Sequence, residues 1–122
     1  GVWSIKNSFE LKLGQRILVE ANVFENNWPD AQDGFAILMK SVNQGGGAPW
    51  SETSDVTFRY NILRNSAHGV NLAGAPGSKT AVPAHHLYFA HNVFERIGDG
   101  SYKGGRMWQV SDIERLTLER NT

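Results

Sequence analysis

The sequence predicts an all-β solenoid, and three observations carry that expectation. Residues 16–27 (Arg-Ile-Leu-Val-Glu-Ala-Asn-Val-Phe-Glu-Asn-Asn) return as close relatives at 55–65, at 86–96 and, up to the last residue of the chain, at 115–122. Each copy alternates apolar and polar side chains, so Ile17 and Val19, Val56 and Phe58, Leu87 and Phe89, and Leu116 and Leu118 fall on one face of a strand. Each copy also runs to an asparagine, and Asn22, Asn61, Asn92 and Asn121 are 39, 31 and 29 residues apart. Self-similarity at a few tens of residues marks a repeat architecture. A lone strand cannot bury its apolar face, whereas copies stacked about 4.8 Å apart bury it as a continuous column.

The asparagine is read as the turn device. It tolerates left-handed backbone better than other non-glycine residues, and its amide can bond nearby backbone or the asparagine of the next coil. After the turn, Phe24, Leu63 and Phe94 should point inward from a second short strand. A third strand follows: Gly34-Phe35-Ala36-Ile37 matches Gly69-Val70-Asn71-Leu72, and more loosely Gly105-Arg106-Met107-Trp108. Near the amino end, Phe9-Glu10-Leu11-Lys12 reads as the third strand of an earlier coil within residues 1–12, and residues 13–15 as a turn into the first full coil.

Three strands and three turns per coil describe a right-handed single-stranded parallel β-helix of three to four coils. On these repeats, over nearly the whole chain, the sequence resembles the right-handed parallel β-helix repeat proteins, the superfold of pectate lyases and polygalacturonases. That scaffold also carries epimerases, tailspikes and adhesins, so the resemblance speaks to fold more than to activity.

At 122 residues the chain is expected to form one structural unit, a single β-helix segment over 1–122 that belongs to a longer solenoid. The expected open end coils suggest end-to-end or edge association with another chain. Twelve basic and twelve acidic residues cancel, which argues against a nucleic-acid footprint. No apolar run is long enough to span a membrane. Without cysteine there is neither disulfide nor thiol nucleophile, and the redox compartment stays open. The fold resemblance alone implies a secreted or periplasmic setting.

Between the repeats lie three insertions. Residues 41–54 hold Gly45-Gly46-Gly47-Ala48-Pro49-Trp50, but no Gly-Lys-Ser/Thr ending follows, so a phosphate loop is not indicated. Residues 73–85 again carry Gly, Pro and Ser, and residues 98–105 carry Asp99, Tyr102 and Lys103. If the three share one side of the solenoid they wall a groove, with Trp50 either stacking on a sugar ring or covering apolar surface.

Two constellations bear on chemistry. The first-strand face, which is the substrate face in the enzyme members of the superfold, should present Leu18, Thr57, Tyr88 and Thr117 beside Glu20, Arg59, Ala90 and Glu119. There Arg59 with Glu20 is either a clamp for a sugar acid or an ordinary cross-strand ion pair. Stacking Gly34 on Gly69 makes Asp33 the neighbour of His68, a pair that suits acid/base work or a structural contact, with the carboxylate expected to raise the imidazole pKa. Asp30 nearby admits a metal, yet no spacing motif calls for one. His85-His86 and His91 lie outside any His-Glu-x-x-His, and no Gly-x-Ser-x-Gly elbow occurs.

The resemblance implies polysaccharide binding or processing, with uronate elimination or glycoside hydrolysis as the reaction class. In that reading Arg59, Asp33 and His68 are the catalytic candidates, and Glu20, Tyr88, Trp50 and Glu119 contact the glycan. No cofactor is required, and Ca2+ is admitted. The enzyme motifs match poorly. Asn121-Thr122 is cut off by the end of the chain, Ala67-His68-Gly69 keeps only His-Gly, and no Asp-Asp pair occurs. Two other readings stand beside it: a structural or adhesive solenoid without an active site, and a segment whose activity resides in other coils.

Overall fold

The structure is a computed structural model, described over residues 3–75 and 79–122. Among the described residues eleven strands stack into three parallel sheets, the arrangement of a parallel β-solenoid. The first sheet holds β2 (Gly14–Glu20), β5 (Thr53–Arg59), β8 (His85–Ala90) and β11 (Glu114–Glu119); the second holds β3 (Val23–Asn27), β6 (Ile62–Ser66) and β9 (Val93–Ile97). The third sheet holds β1 (Phe9–Leu11), β4 (Phe35–Lys40), β7 (His68–Ala73) and β10 (Trp108–Ser111). The repeat thus becomes structure directly, because equivalent strands of successive copies pair with one another. β1 pairs with β4, as residues 9–12 led one to expect; Gly1 and Val2, at the start of that stretch, lie outside the described residues.

The apolar alternation points into one core. Ile17, Val56, Leu87 and Leu116 stack in one row, and Val19, Phe58, Phe89 and Leu118 in the next. Phe24, Leu63 and Phe94 form the inward row of the second sheet. A column of rings threads the coils: Phe24 lies 5.6 Å from Phe58, Phe58 5.1 Å from Phe89, and Phe89 5.3 Å from Trp108. Burying a ring of this kind contributes about 1.5–3 kcal/mol, and each ring pair about 0.5–1.5 kcal/mol more. β4 is buried on both faces, as its unbroken apolar run requires.

The asparagine ladder forms, but it works differently from a left-handed turn residue. Asn22, Asn61, Asn92 and Asn121 are joined amide to amide at 3.1, 3.2 and 2.8 Å. Each amide nitrogen also donates to a strand carbonyl, of Glu20, Val19, Phe58 and Phe89 respectively. The positive φ belongs to the residue before each asparagine: Ala21, Tyr60, His91 and Arg120. A second column of positive φ runs through Arg16, Asp55, His86 and Arg115, where each first-sheet strand carries an extra residue that the pairing skips. Stacked bulges of this kind keep the register common to all four strands.

The third sheet corrects the expected register. Gly34 lies opposite Ala67, because Phe35 pairs with His68 and Ile37 with Val70. Gly69 is therefore two residues away from the partner expected of it. Its role is close approach, since a Cβ there would stand 2.4 Å from the Met107 carbonyl oxygen. Gly105, by contrast, does align with Gly34 through Ala67, because Trp108 pairs with Val70.

Nor do the three insertions share one side. Residues 41–52 and 74–84 both connect a third-sheet strand to the next first-sheet strand, and they touch: Asn43 Nδ2 donates to the Thr80 carbonyl at 2.6 Å. Residues 98–107 connect the second sheet to the third, as do residues 28–34 one face away. Positions 76–78, which supply part of the Gly, Pro and Ser of the second insertion, lie outside the described residues. Among the described residues no helix is long and apolar enough to cross a membrane.

Candidate functional site

The outward side of the first sheet carries the ladders read from the sequence. Leu18, Thr57, Tyr88 and Thr117 are in register, and so are Glu20, Arg59, Ala90 and Glu119. Alternation about the inward rows is what turns these residues outward, although Ala90 is itself covered. Glu20 and Arg59 form a salt bridge across neighbouring strands. Both are partly exposed, so the pair is of the surface type, with a typical value of about 0–1 kcal/mol. Tyr88 donates its hydroxyl to Glu119 at 3.0 Å, and this bond to a carboxylate is the main cause of a raised phenol pKa. At the corner after the sheet, Tyr60 stacks on His91 with centroids 5.0 Å apart and planes 16° from parallel. Arg59 covers the Tyr60 ring from 5.7 Å. Between the first two strands, Arg16, Leu18, Asp55, Thr57 and Arg59 border a shallow depression of about 410 Å³.

Trp50 stands away from this group. It is 72% exposed, but it precedes β5 whereas Arg59 ends that strand. Six strand steps amount to about 20 Å. Trp50 is not part of the depression beside Arg59. Glu20 and Glu119 are three strand spacings apart, about 14 Å. A glycosidase carboxylate pair needs roughly 5–9.5 Å, so these two cannot act together on one glycosidic bond.

The second constellation lies at a different corner, between the second and third sheets. Asp33 and His68 are not strand neighbours, but they line one cleft of about 400 Å³ together with Asp30, Lys103 and Arg106. His68 is 8% exposed and packs flat against Phe35, centroids 4.8 Å apart. Its Nδ1 accepts the backbone N–H of Arg106 at 3.0 Å, so the neutral ring carries its proton on Nε2. The Asp33 carboxylate does act to raise this imidazole's pKa, as expected, but the net direction is downward. Burial lowers it, Arg106 lowers it further, and Asp33 opposes them without reversing the direction.

That direction predicts a pH effect. The folded pKa lies below the ordinary value of roughly 6.5, so the unfolded chain binds the proton first as pH falls. The contribution is present above the unfolded value and is lost as pH drops through the folded one. The urea midpoint of the protein is expected to fall between pH 7.5 and pH 5. The fall should be smaller in His68→Asn, whose Oδ1 can still accept from Arg106. Identical pH profiles for the two proteins would show that His68 plays no part.

Lys103 and Arg106 are the cleft residues that the sequence reading missed. The usable signal was the alignment of Gly105 with Gly34, which sets Arg106 on the coil next to His68. The φ 57° of Asp33 is of the kind that recurs at the turns and bulges of the other coils, whereas the backbone of Lys103 is unusual, at φ 46° and ψ 152°. For a side-chain-bearing residue such a conformation costs of order 1–3 kcal/mol and concentrates at functional places.

His85 and His86 form a third group. Arg115 can only donate, so His86 accepts at Nε2 across 3.1 Å. With neutral rings, His86 Nδ1–H then faces His85 Nδ1 at 2.5 Å, and His85 Nε2–H meets Glu52 at 2.8 Å. The histidines are thus tied into a chain across coils. Among the described residues no three His, Asp or Glu side chains gather as metal ligands.

No family model matches the chain, and no curated protein or solved structure is significantly similar to it.

Proposed function

We propose that these coils belong to a right-handed parallel β-helix that binds an acidic polysaccharide along the outward face of its first sheet. Right-handed crossover is the near-universal rule for parallel strands joined within a sheet, which supports that hand. The observation that carries the binding reading is the outward strip of exposed Leu18 and Tyr60 with partly exposed Arg59, Tyr88 and His91. Equivalent positions repeat every strand spacing along it, so a polymer can lie across successive coils. The Tyr60–His91 stack offers its ring edges to a sugar, and the Arg59 guanidinium can exchange Glu20 for a uronate carboxylate. Binding is preferred to glycoside hydrolysis, because Glu20 and Glu119 are not at catalytic separation. Calcium, if used, would bridge polymer carboxylates to Glu20 or Glu119.

The test is affinity electrophoresis through gels holding polygalacturonate, alginate or neutral dextran, with and without calcium. Retardation by an acidic polymer is expected, with Arg59→Ala weakening it at least fivefold. Equal mobility of both proteins in every gel would rule the strip out.

One observation favours a second reading. Charges on the exposed sheets are already paired: Glu20 with Arg59, and Glu25 with Arg64 at 2.7 Å on the second sheet. A face so neutralised suits a structural or adhesive solenoid, in which the repeat itself is the function. Unretarded protein in all gels would favour that alternative.

A further inference from the structure

The corner cleft around His68 is separate from the first-sheet strip and does not depend on it. Two carboxylates, Asp30 and Asp33, and two cations, Lys103 and Arg106, border it. Among the described residues none of these four forms an ion pair with another. Asp30 Oδ2 accepts the Ile5 backbone N–H at 3.2 Å, and Arg106 Nη1 donates to Gln109 at 2.7 Å. Opposite charges brought to one opening yet unpaired present a ligand with two kinds of partner at once.

The floor of the cleft is built rather than incidental. His68 is held by Phe35 on its face and by the Arg106 amide at Nδ1. Gly104 closes over the same edge, where a Cβ would stand 2.6 Å from His68 Cε1. The sole hydrogen-bonding atom left to the ring is Nε2–H, a fixed donor. The rim comes from three successive coils: the loop before β4, the start of β7 and the loop before β10. The volume, about 400 Å³, falls in the lower part of the range of about 300–1,000 Å³ usual for small-ligand sites. It has room for a monomer-sized guest.

From this arrangement we infer that the cleft binds a small carboxylate carrying its own hydrogen-bond donors, the carboxylate on Lys103 and Arg106 and the donors on Asp30 and Asp33. His68 Nε2–H serves the carboxylate side. Two sources share that chemistry: a free sugar acid, whose donors are hydroxyls, and an α-amino acid, whose donor is an ammonium group.

Calorimetric titration of the whole chain with D-glucuronate, L-serine, propionate and D-glucose tests it. Saturable binding of glucuronate or serine is expected, and whichever binds names the source. Propionate, which lacks the donors, and glucose, which lacks the charge, should each bind at least tenfold more weakly. Arg106→Gln and Lys103→Met should each weaken the bound ligand at least tenfold, while Arg64→Gln on the second sheet leaves it unchanged. Because a loop variant can disturb folding, the His68 imidazole resonances of the unmodified protein give an independent reading, and they should shift on ligand addition. Binding of neither two-sided ligand, propionate binding as tightly as either, or a bound ligand that leaves His68 unmoved would each overturn the inference.

Discussion

Asn61→Ala is expected to destabilise the protein by about 3–5 kcal/mol, at roughly 1–3 kcal/mol for each buried polar group left without a partner. Asn61 is fully buried in the middle of the ladder. Its side chain donates to the Val19 carbonyl at 2.9 Å and to Asn92 at 3.2 Å, and it accepts from the backbone and side-chain nitrogens of Asn22. Alanine removes all of these while the strands stay stacked, so the buried Val19 carbonyl loses a partner that water cannot easily replace, and the buried Asn92 Oδ1 loses one of its two donors. Asn61→Asp separates the two halves of the role. Its carboxylate still accepts from Asn22, but it sets a second acceptor against the Val19 carbonyl, so it should be as damaging as alanine or worse. Asn22→Ala serves as the contrast, because Asn22 is exposed and its donation is to the Glu20 carbonyl and to Asn61. It should cost no more than about 1–1.5 kcal/mol. Urea denaturation followed by circular dichroism measures both, and a shifted midpoint at unchanged slope identifies a stability change. Equal, small losses for Asn22→Ala and Asn61→Ala would mean that the ladder does not hold the coils together.

The ladder also marks where sequence reading succeeds in this chain. Four asparagines at the ends of four alternating segments were enough to align the first sheet residue by residue, and every first-sheet partner follows from that alignment. The physical reason is redundancy. An inward apolar pair, an asparagine and a skipped bulge residue recur in each copy, and a slip by one would turn Val56 and Phe58 outward. The left-handed positions were less legible. Ala21, Tyr60, His91 and Arg120 have no chemistry in common, because the hydrogen bonds of the following asparagine impose the conformation, whatever the residue's own preference.

The third sheet was harder, and the candidate site suffered for it. Glycine served there as the alignment marker, but Gly34 and Gly69 are glycines for different reasons. Gly34 has φ 74° and would clash with Ala67 and Pro29, whereas Gly69 yields to the Met107 carbonyl of the next coil. A two-residue slip leaves inward rows inward, so burial gave no warning of the error. Asp33 consequently lines a cleft with His68 without being its strand partner. The cations of that cleft arrive from residues 103–106, at the end of an insertion whose length follows no repeat, so periodicity could not place them. Burial is the main cause of the lowered His68 pKa, and the further lowering by Arg106, against the raising effect of Asp33, is the electrical consequence of that missed neighbour.

Phe58→Ala is expected to cost about 3–5 kcal/mol, the usual range for emptying a buried aromatic site. Phe58 is fully buried and contacts rings on both sides, Phe24 at 5.6 Å and Phe89 at 5.1 Å. In a stacked architecture each coil is stabilised largely by its neighbours, so a gap in a middle coil weakens two interfaces at once. Phe24 is only half-buried, and Phe24→Ala should cost less, about 1.5–3 kcal/mol. The column makes a sharper claim than burial does. If Phe58 and Phe89 stabilise each other as rings, the double substitution should differ from the sum of the singles by about 0.5–1.5 kcal/mol. Strict additivity would reduce the column to independent buried side chains, and a Phe58→Ala loss below about 1.5 kcal/mol would place Phe58 outside the core altogether. A coupled pair would instead make the ring column, alongside the asparagine ladder, a second device that transmits the register of one coil to the next. Strain in any one coil would then be felt at the first-sheet strip and at the His68 cleft alike.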